Sequence, residues 1–109
     1  MAAKFELKTA KNNKVYFNLC AANGEIILTS QMYASKATAK KGIRSVQTNC
    51  GDKDRYVVSD SKGGKSRFVL RSGNNRVIGS SQAYKTTASV KSGIKSVMQS
   101  GKKAKIVEA

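Results

Sequence analysis

Ser30-Gln31-Met32-Tyr33-Ala34-Ser35-Lys36-Ala37-Thr38-Ala39-Lys40-Lys41-Gly42-Ile43-Arg44-Ser45-Val46 is followed later in the chain by Ser81-Gln82-Ala83-Tyr84-Lys85-Thr86-Thr87-Ala88-Ser89-Val90-Lys91-Ser92-Gly93-Ile94-Lys95-Ser96-Val97. The two stretches share Ser-Gln, Tyr, Ala, Lys, Gly-Ile and Ser-Val at matching places, 51 positions apart. Carried outward without a gap, the offset sets Lys14, Phe17 and Leu19 on Lys65, Phe68 and Leu70. It sets Asn23 on Asn74, Ile27 on Ile78 and Phe5 on Tyr56. One unit is therefore written twice in tandem. Two copies are too few for a solenoid, so the copies are expected to pack as a pair about a pseudo-two-fold axis. A length of 109 residues suits one domain, with repeat one over 1–51 and repeat two plus a closing strand over 52–109.

Each unit reads alike. Phe5 and Leu7 alternate with polar residues, as in a half-buried strand. Asn12-Asn13 and Gly63-Gly64 supply hairpin turns at equivalent places. Val15 to Leu19 and Arg67 to Leu70 form the second strand, with Phe17, Leu19, Phe68 and Leu70 facing inward. Asn23-Gly24 and Asn74-Asn75 make the next turn, before third strands over Glu25 to Thr29 and Arg76 to Ser80. Helices follow, capped by Ser35 and Thr86. Ala39, Ile43 and Val46 are spaced for one helical face, as are Val90, Ile94 and Val97. Gly42 and Gly93 fall mid-helix, where glycine costs about 1 kcal/mol against alanine; their shared position predicts a close crossing over sheet backbone. Arg55 to Val58 follows the first helix as Lys105 to Glu108 follows the second. The fold class is α+β, with order β-β-β-α, β-β-β-α, β. The sheet is mainly antiparallel and neither unit is complete without a strand from its neighbour.

The chain carries 21 Lys and Arg against 6 Asp and Glu, a formal charge of +15. Residues 1–51 hold 8 basic and 2 acidic groups, and residues 52–109 hold 13 and 4. The excess is spread over both copies, and such a field attracts polyanions at long range. No apolar run approaches the roughly 18 residues of a membrane span. The N-terminus has no secretory pattern, so a cytoplasmic location without membrane contact is expected. Cys20 and Cys50 have no metal-ligand spacing and read as free thiols.

Catalysis finds little support. There is no histidine to serve as general base. Asp52 and Asp54 are the one close carboxylate pair, and they lie in the linker. Cys20 alternates outward after Phe17 and Leu19 and lacks a visible activator. Ser59 to Ser66 echoes a phosphate-binding loop, but Ser59 stands where the first glycine belongs and a strand follows instead of a helix. No catalytic residue, metal or cofactor is expected.

The basic helix faces are the leading candidate site. Lys36, Lys40 and Arg44 form one stripe opposite the apolar face, with Lys41 beside it. Lys91 and Lys95 repeat the stripe, and Lys102, Lys103 and Lys105 extend it. If both helices cover one side of the sheet, these charges merge into a field suited to phosphates. The competing reading is the ordinary charged face of any sheet-packed helix. Tyr16, Tyr33 and Tyr84 are the candidates for exposed stackers; the last two precede helices in both copies, where packing is the expected use.

The ordered motifs resemble the YegP-like family of small uncharacterised bacterial proteins, whose pattern runs F-x-L-x-A-x-N-G, a strand ending in Ser, Y-x-S-K-A, then G-I-x-S-V. The first copy reads Phe17, Leu19, Ala21, Asn23-Gly24, Ser30, Tyr33, Ser35-Lys36-Ala37, then Gly42-Ile43 and Ser45-Val46. The second reads Phe68, Leu70, Asn74-Asn75, Ser81, Tyr84, Ala88, Gly93-Ile94 and Ser96-Val97, departing at Ser72-Gly73-Asn74-Asn75 where Asn-Gly is expected. The resemblance implies tandem β-β-β-α-β units joined in one sheet with their C-terminal strands exchanged, and it implies no activity. Two functions are carried forward. One is a non-catalytic module contacting nucleic acid or another polyanion through the helix faces. The other is a protein-protein interaction or structural domain acting through a sheet edge or homotypic contact, as monomer or weak homodimer.

Overall fold

The computed structural model describes residues 3–60, 63–73 and 76–108. The expected turn at Asn74-Asn75 and residues Ser61 and Lys62 lie outside the described residues. The strands are β1 (Lys4–Thr9), β2 (Val15–Cys20), β3 (Ile26–Ser30), β4 (Tyr56–Asp60), β5 (Ser66–Arg71), β6 (Val77–Ser80) and β7 (Lys105–Glu108), and the helices are α1 (Lys36–Asn49) and α2 (Thr87–Ser100). They form one mixed seven-stranded sheet in the order β4-β5-β6-β3-β2-β1-β7. Every neighbouring pair is antiparallel except β1 and β7, which run parallel.

Both halves follow the same local rules. Asn13 at φ 64° and Gly64 at φ 76°, 51 positions apart, take the left-handed conformation that closes each first hairpin. The Ser35 hydroxyl accepts from the Thr38 amide at 3.3 Å, and the Thr38 hydroxyl accepts from the Ser35 amide at 3.2 Å, closing a capping box on α1. Thr86 caps α2 by accepting from the Ser89 amide at 3.0 Å. Both helices pack on one face of the sheet, over Phe5, Phe17, Leu19, Leu28, Phe68 and Leu70. Ile43, Val46, Val90 and Val97 complete this single core from the helix side.

The halves join where β3 meets β6. Thr29 stands opposite Ser80, its own equivalent in the other copy, so the pseudo-two-fold axis passes through that pair. Two shared residues of the repeat build the seam. The Ser30 hydroxyl accepts from the Phe17 amide at 2.9 Å and donates to the Gln31 carbonyl at 2.8 Å; Ser81 does the same with Phe68 and Gln82 at 3.0 and 2.8 Å. Gln31 then donates across the seam to the Val77 carbonyl, and Gln82 donates back to the Ile26 carbonyl. Near the axis there is room for one side chain of each equivalent pair. Buried Leu28 packs toward Gly79, whose added Cβ would lie 3.1 Å from the leucine Cγ and 2.8 Å from the Thr29 carbonyl oxygen. Cys50 packs against Gly101 in the same way, with 2.8 Å between its Sγ and an added Cβ.

The mid-helix glycines are close-approach positions, but the neighbour differs from expectation. Gly42 faces the phenol of Tyr33 and the ring of Phe17, not sheet backbone. Gly93 faces Tyr84, where an added Cβ would lie 2.5 Å from the Oη, and Phe68 at 3.1 Å. Each tyrosine stacks on its phenylalanine, at interplanar angles of 13° and 10°. The glycine removes the one Cβ that would collide with this two-ring wedge. An alanine there forces overpacking worth about 1–3 kcal/mol, which outweighs a helical gain of about 1 kcal/mol. Gly42→Ala and Gly93→Ala are therefore expected to lower Tm. In a Tyr33→Leu background, Gly42→Ala should cost much less; an equal cost in both backgrounds would place the collision elsewhere.

Candidate polyanion-binding surface

Lys36, Lys40, Lys41, Arg44, Lys91 and Lys95 are all exposed on the two helices. Neither helix carries an acidic residue, so none of these cations has the usual acid one turn away on its own helix. The first carboxylate to meet them comes from β7. Glu108 lies 3.7 Å from Lys36 and 3.9 Å from Lys40. One carboxylate shared by two cations leaves a net positive charge, and ion pairs this exposed contribute little. Lys102 and Lys103 are exposed in the turn after α2 instead of along the helical stripe. Lys102 folds back over the end of α1, its Nζ 2.8 Å from where a Cβ on Gly51 would be. The C-termini of both helices converge there, and cations beside them complement the helix dipoles. Lys105 lies in β7, opposite Lys4.

Between each helix and the adjoining β2–β3 or β5–β6 loop lies an open groove. The groove beside α1 is lined by Tyr33, Thr38, Lys41, Ser45 and, from the other copy, Ser72 and Arg76. The groove beside α2 is lined by Tyr84, Ser89, Ser92, Ser96, Ala21 and Glu25. These are equivalent positions, and two of them change sign or lose charge. Lys41 becomes Ser92, and Arg76 becomes Glu25. Both grooves are rich in hydroxyls, but the α1 groove is cationic, whereas its counterpart carries the Glu25 carboxylate. Arg76 lies outside the helical stripes, just before β6. The clue available in the sequence was the Glu25/Arg76 exchange at one repeat position.

The tyrosines are not free stacking platforms on the helix side, since Tyr33 and Tyr84 are engaged with Phe17 and Phe68. Tyr16 is half-buried on the helix-free face. Tyr56 packs edge-on against Phe68 and donates to the Cys50 carbonyl at 2.6 Å, and its burial pushes the phenol well above the usual range.

Both thiols are free and buried. Cys20 points to the helix-free face, as its alternation requires, but β1 and β3 enclose it. Lys4 and Ile26 are its cross-strand neighbours. Burial raises its pKa first, and its 3.5 Å hydrogen bond to the Glu6 carboxylate raises it further. Burial likewise raises Cys50. A raised thiol pKa leaves less thiolate at a given pH.

The arrangement defines a class, a tandem-repeat α+β protein whose mixed sheet bears both helices on one face. The chain matches the domain of unknown function DUF1508 twice, over residues 10–56 and 61–108, and it belongs to that family. Among its relatives, a UPF0339 protein of Photorhabdus laumondii is 50% identical over 97 residues, covering 89% of this chain and 85% of the relative. The UPF0339 protein YegP of Escherichia coli K12 is 46% identical over 101 residues, covering 93% and 92%. The solution NMR structure of yegP from E. coli, described as a protein of unknown function, superposes with a TM-score of 0.93 at 42% identity, over 99% of this chain and 93% of that one. That of UPF0339 protein SO3888 from Shewanella oneidensis gives 0.92 at 44%, over 99% and 92%. The family is one of unknown function and bears no enzymatic name. No helix among the described residues is long and apolar enough to cross a membrane.

Both thiols should resist alkylation in the folded protein at pH 8 and react at once in denaturant, as read by iodoacetamide labelling and mass spectrometry. Fast labelling of the native chain would mean that β1 or the end of α1 opens readily.

Proposed function

We propose that this protein is a non-catalytic module that binds nucleic acid or a similar polyanion across the helix-bearing face. The observation that carries the reading is the acid-free composition of both helices, which sets Lys36, Lys40, Lys41, Arg44, Lys91 and Lys95 on one side of the sheet. The cationic groove beside α1, with Lys41 and Arg76, supports an anchoring phosphate on the first repeat. Base reading has no comparable support, because two of the three candidate tyrosines are spent on packing. Recognition would be electrostatic and weakly dependent on sequence.

Anisotropy titrations of nuclease-treated protein with labelled single-stranded RNA and duplex DNA test this. Binding should persist near physiological salt, and each phosphate neutralised should contribute about −0.9 to the log–log salt slope on duplex DNA. Charge reversal at Lys40, Arg44, Lys91 and Lys95 should weaken binding and flatten the slope without unfolding the chain, and Arg76→Glu should act in the same direction. Unchanged affinity in a folded variant would remove the surface from consideration. Binding confined to low salt would reduce it to generic attraction.

The pairing of β7 with β1 supports reading the fold as two β-β-β-α-β repeats, 1–51 and 52–109, with exchanged closing strands. On that reading a fragment of residues 1–51 lacks a strand and is expected to dimerise or stay unfolded in analytical ultracentrifugation and circular dichroism. A stably folded monomer would refute it.

A further inference from the structure

The first strands of the two copies are equivalent by sequence and unequal by structure. β1 and β4 are the first strands of the two copies. β1 is flanked by β2 and β7, whereas among the described residues β4 pairs with β5 alone. The equivalent side chains record the difference: Leu7 is 2% exposed and Val58 is 47% exposed. The strand after α1 is β4 itself, already used to open the second copy, and among the described residues no further strand lies beside it.

We propose that the free edge of β4 is a docking site for an extended segment of a partner protein, added in parallel as a further strand. β7 shows what such a slot accepts. Ile106 lies opposite Phe5, and Glu108 lies opposite Leu7 and reaches Lys36 and Lys40. Transposed by 51 positions, the occupant places an apolar residue opposite Tyr56 and an acid opposite Val58. Lys91, the equivalent of Lys40, makes no ion pair among the described residues and meets that acid. The occupant is thus an acid-bearing segment with the pattern apolar-x-acid, held by main-chain hydrogen bonds and one charge contact. A second copy of this chain is disfavoured as occupant, because each copy carries +15 and its own β7 is engaged with β1. The opposite edge, β7, is four residues long and begins and ends with a charge, Lys105 and Glu108, the charged short strand that discourages pairing.

The test uses the full chain and a peptide with the sequence of residues 104–109, acetylated and amidated, in a ¹⁵N NMR titration. Saturable shifts at Val57 to Asp60, with β1 amides unmoved, are expected. Replacing the glutamate of the peptide by glutamine should raise Kd several-fold. Val58→Glu should abolish binding by setting an acid against the acid of the peptide, while the variant keeps a dispersed spectrum and its oligonucleotide affinity. The glutamine peptide keeps the test independent of how that variant folds, and the oligonucleotide control separates this site from the helix faces. No shift at β4 with millimolar peptide would overturn the proposal, as would shifts confined to β1 from displaced β7. Concentration-dependent shifts at β4 without peptide would also overturn it, by making a second copy the occupant.

Discussion

The seam between β3 and β6 is the constraint on which the rest of the molecule depends. Two copies of one unit can share a sheet about an axis only if the residues nearest that axis do not both demand the same space. Here the conflict is resolved by asymmetry, with Leu28 filled and Gly79 empty, Cys50 filled and Gly101 empty. The polar groups need no such compromise. Serine hydroxyls cap the inner strands, and glutamine amides cross to the other copy's carbonyls, twice over by the same geometry. Small–large pairing lets the side chains at the axis interlock without a clash, and the reciprocal amide bonds tie the two copies across it.

Once the seam has made the copies unequal, other differences become permissible. The grooves beside the helices differ in charge at Lys41/Ser92 and Arg76/Glu25. The first strands of the two copies differ in their neighbours, because β7 lies beside β1 whereas among the described residues β4 pairs with β5 alone. A basic helical face, one cationic groove and one free edge are thus distributed over a scaffold whose backbone is nearly symmetric.

Much of the architecture was legible in the sequence because the repeat allowed each element to be read twice. The caps Ser35 and Thr86, the turn at Asn13 and Gly64, and the inward set of Phe17, Leu19, Phe68 and Leu70 all follow from local pattern. Gly42 and Gly93 were recognisable as close-approach sites, but their neighbours were not. A stacked tyrosine–phenylalanine wedge depends on side-chain directions that spacing does not encode. Cys20 reads as outward by alternation and is nevertheless enclosed, because burial on a sheet face depends on cross-strand neighbours. Gly79 and Arg76 are not marked by local pattern for the same reason: their importance comes from the other copy, across the register between β3 and β6. Lys36, Lys40, Lys41, Arg44, Lys91 and Lys95 lie exposed on the helices, whereas Lys102 and Lys103 lie in the turn beyond α2.

The parallel pairing of β7 with β1 has a mechanical side. Lys4 begins β1 opposite Lys105, which begins β7, so the two strands start together and run the same way. A pull between the start of β1 and the end of β7 slides one strand along the other instead of peeling it away. All the hydrogen bonds of that ladder then carry load at the same time. Four residues of closing strand serve as a shear clamp on the two termini of the fold.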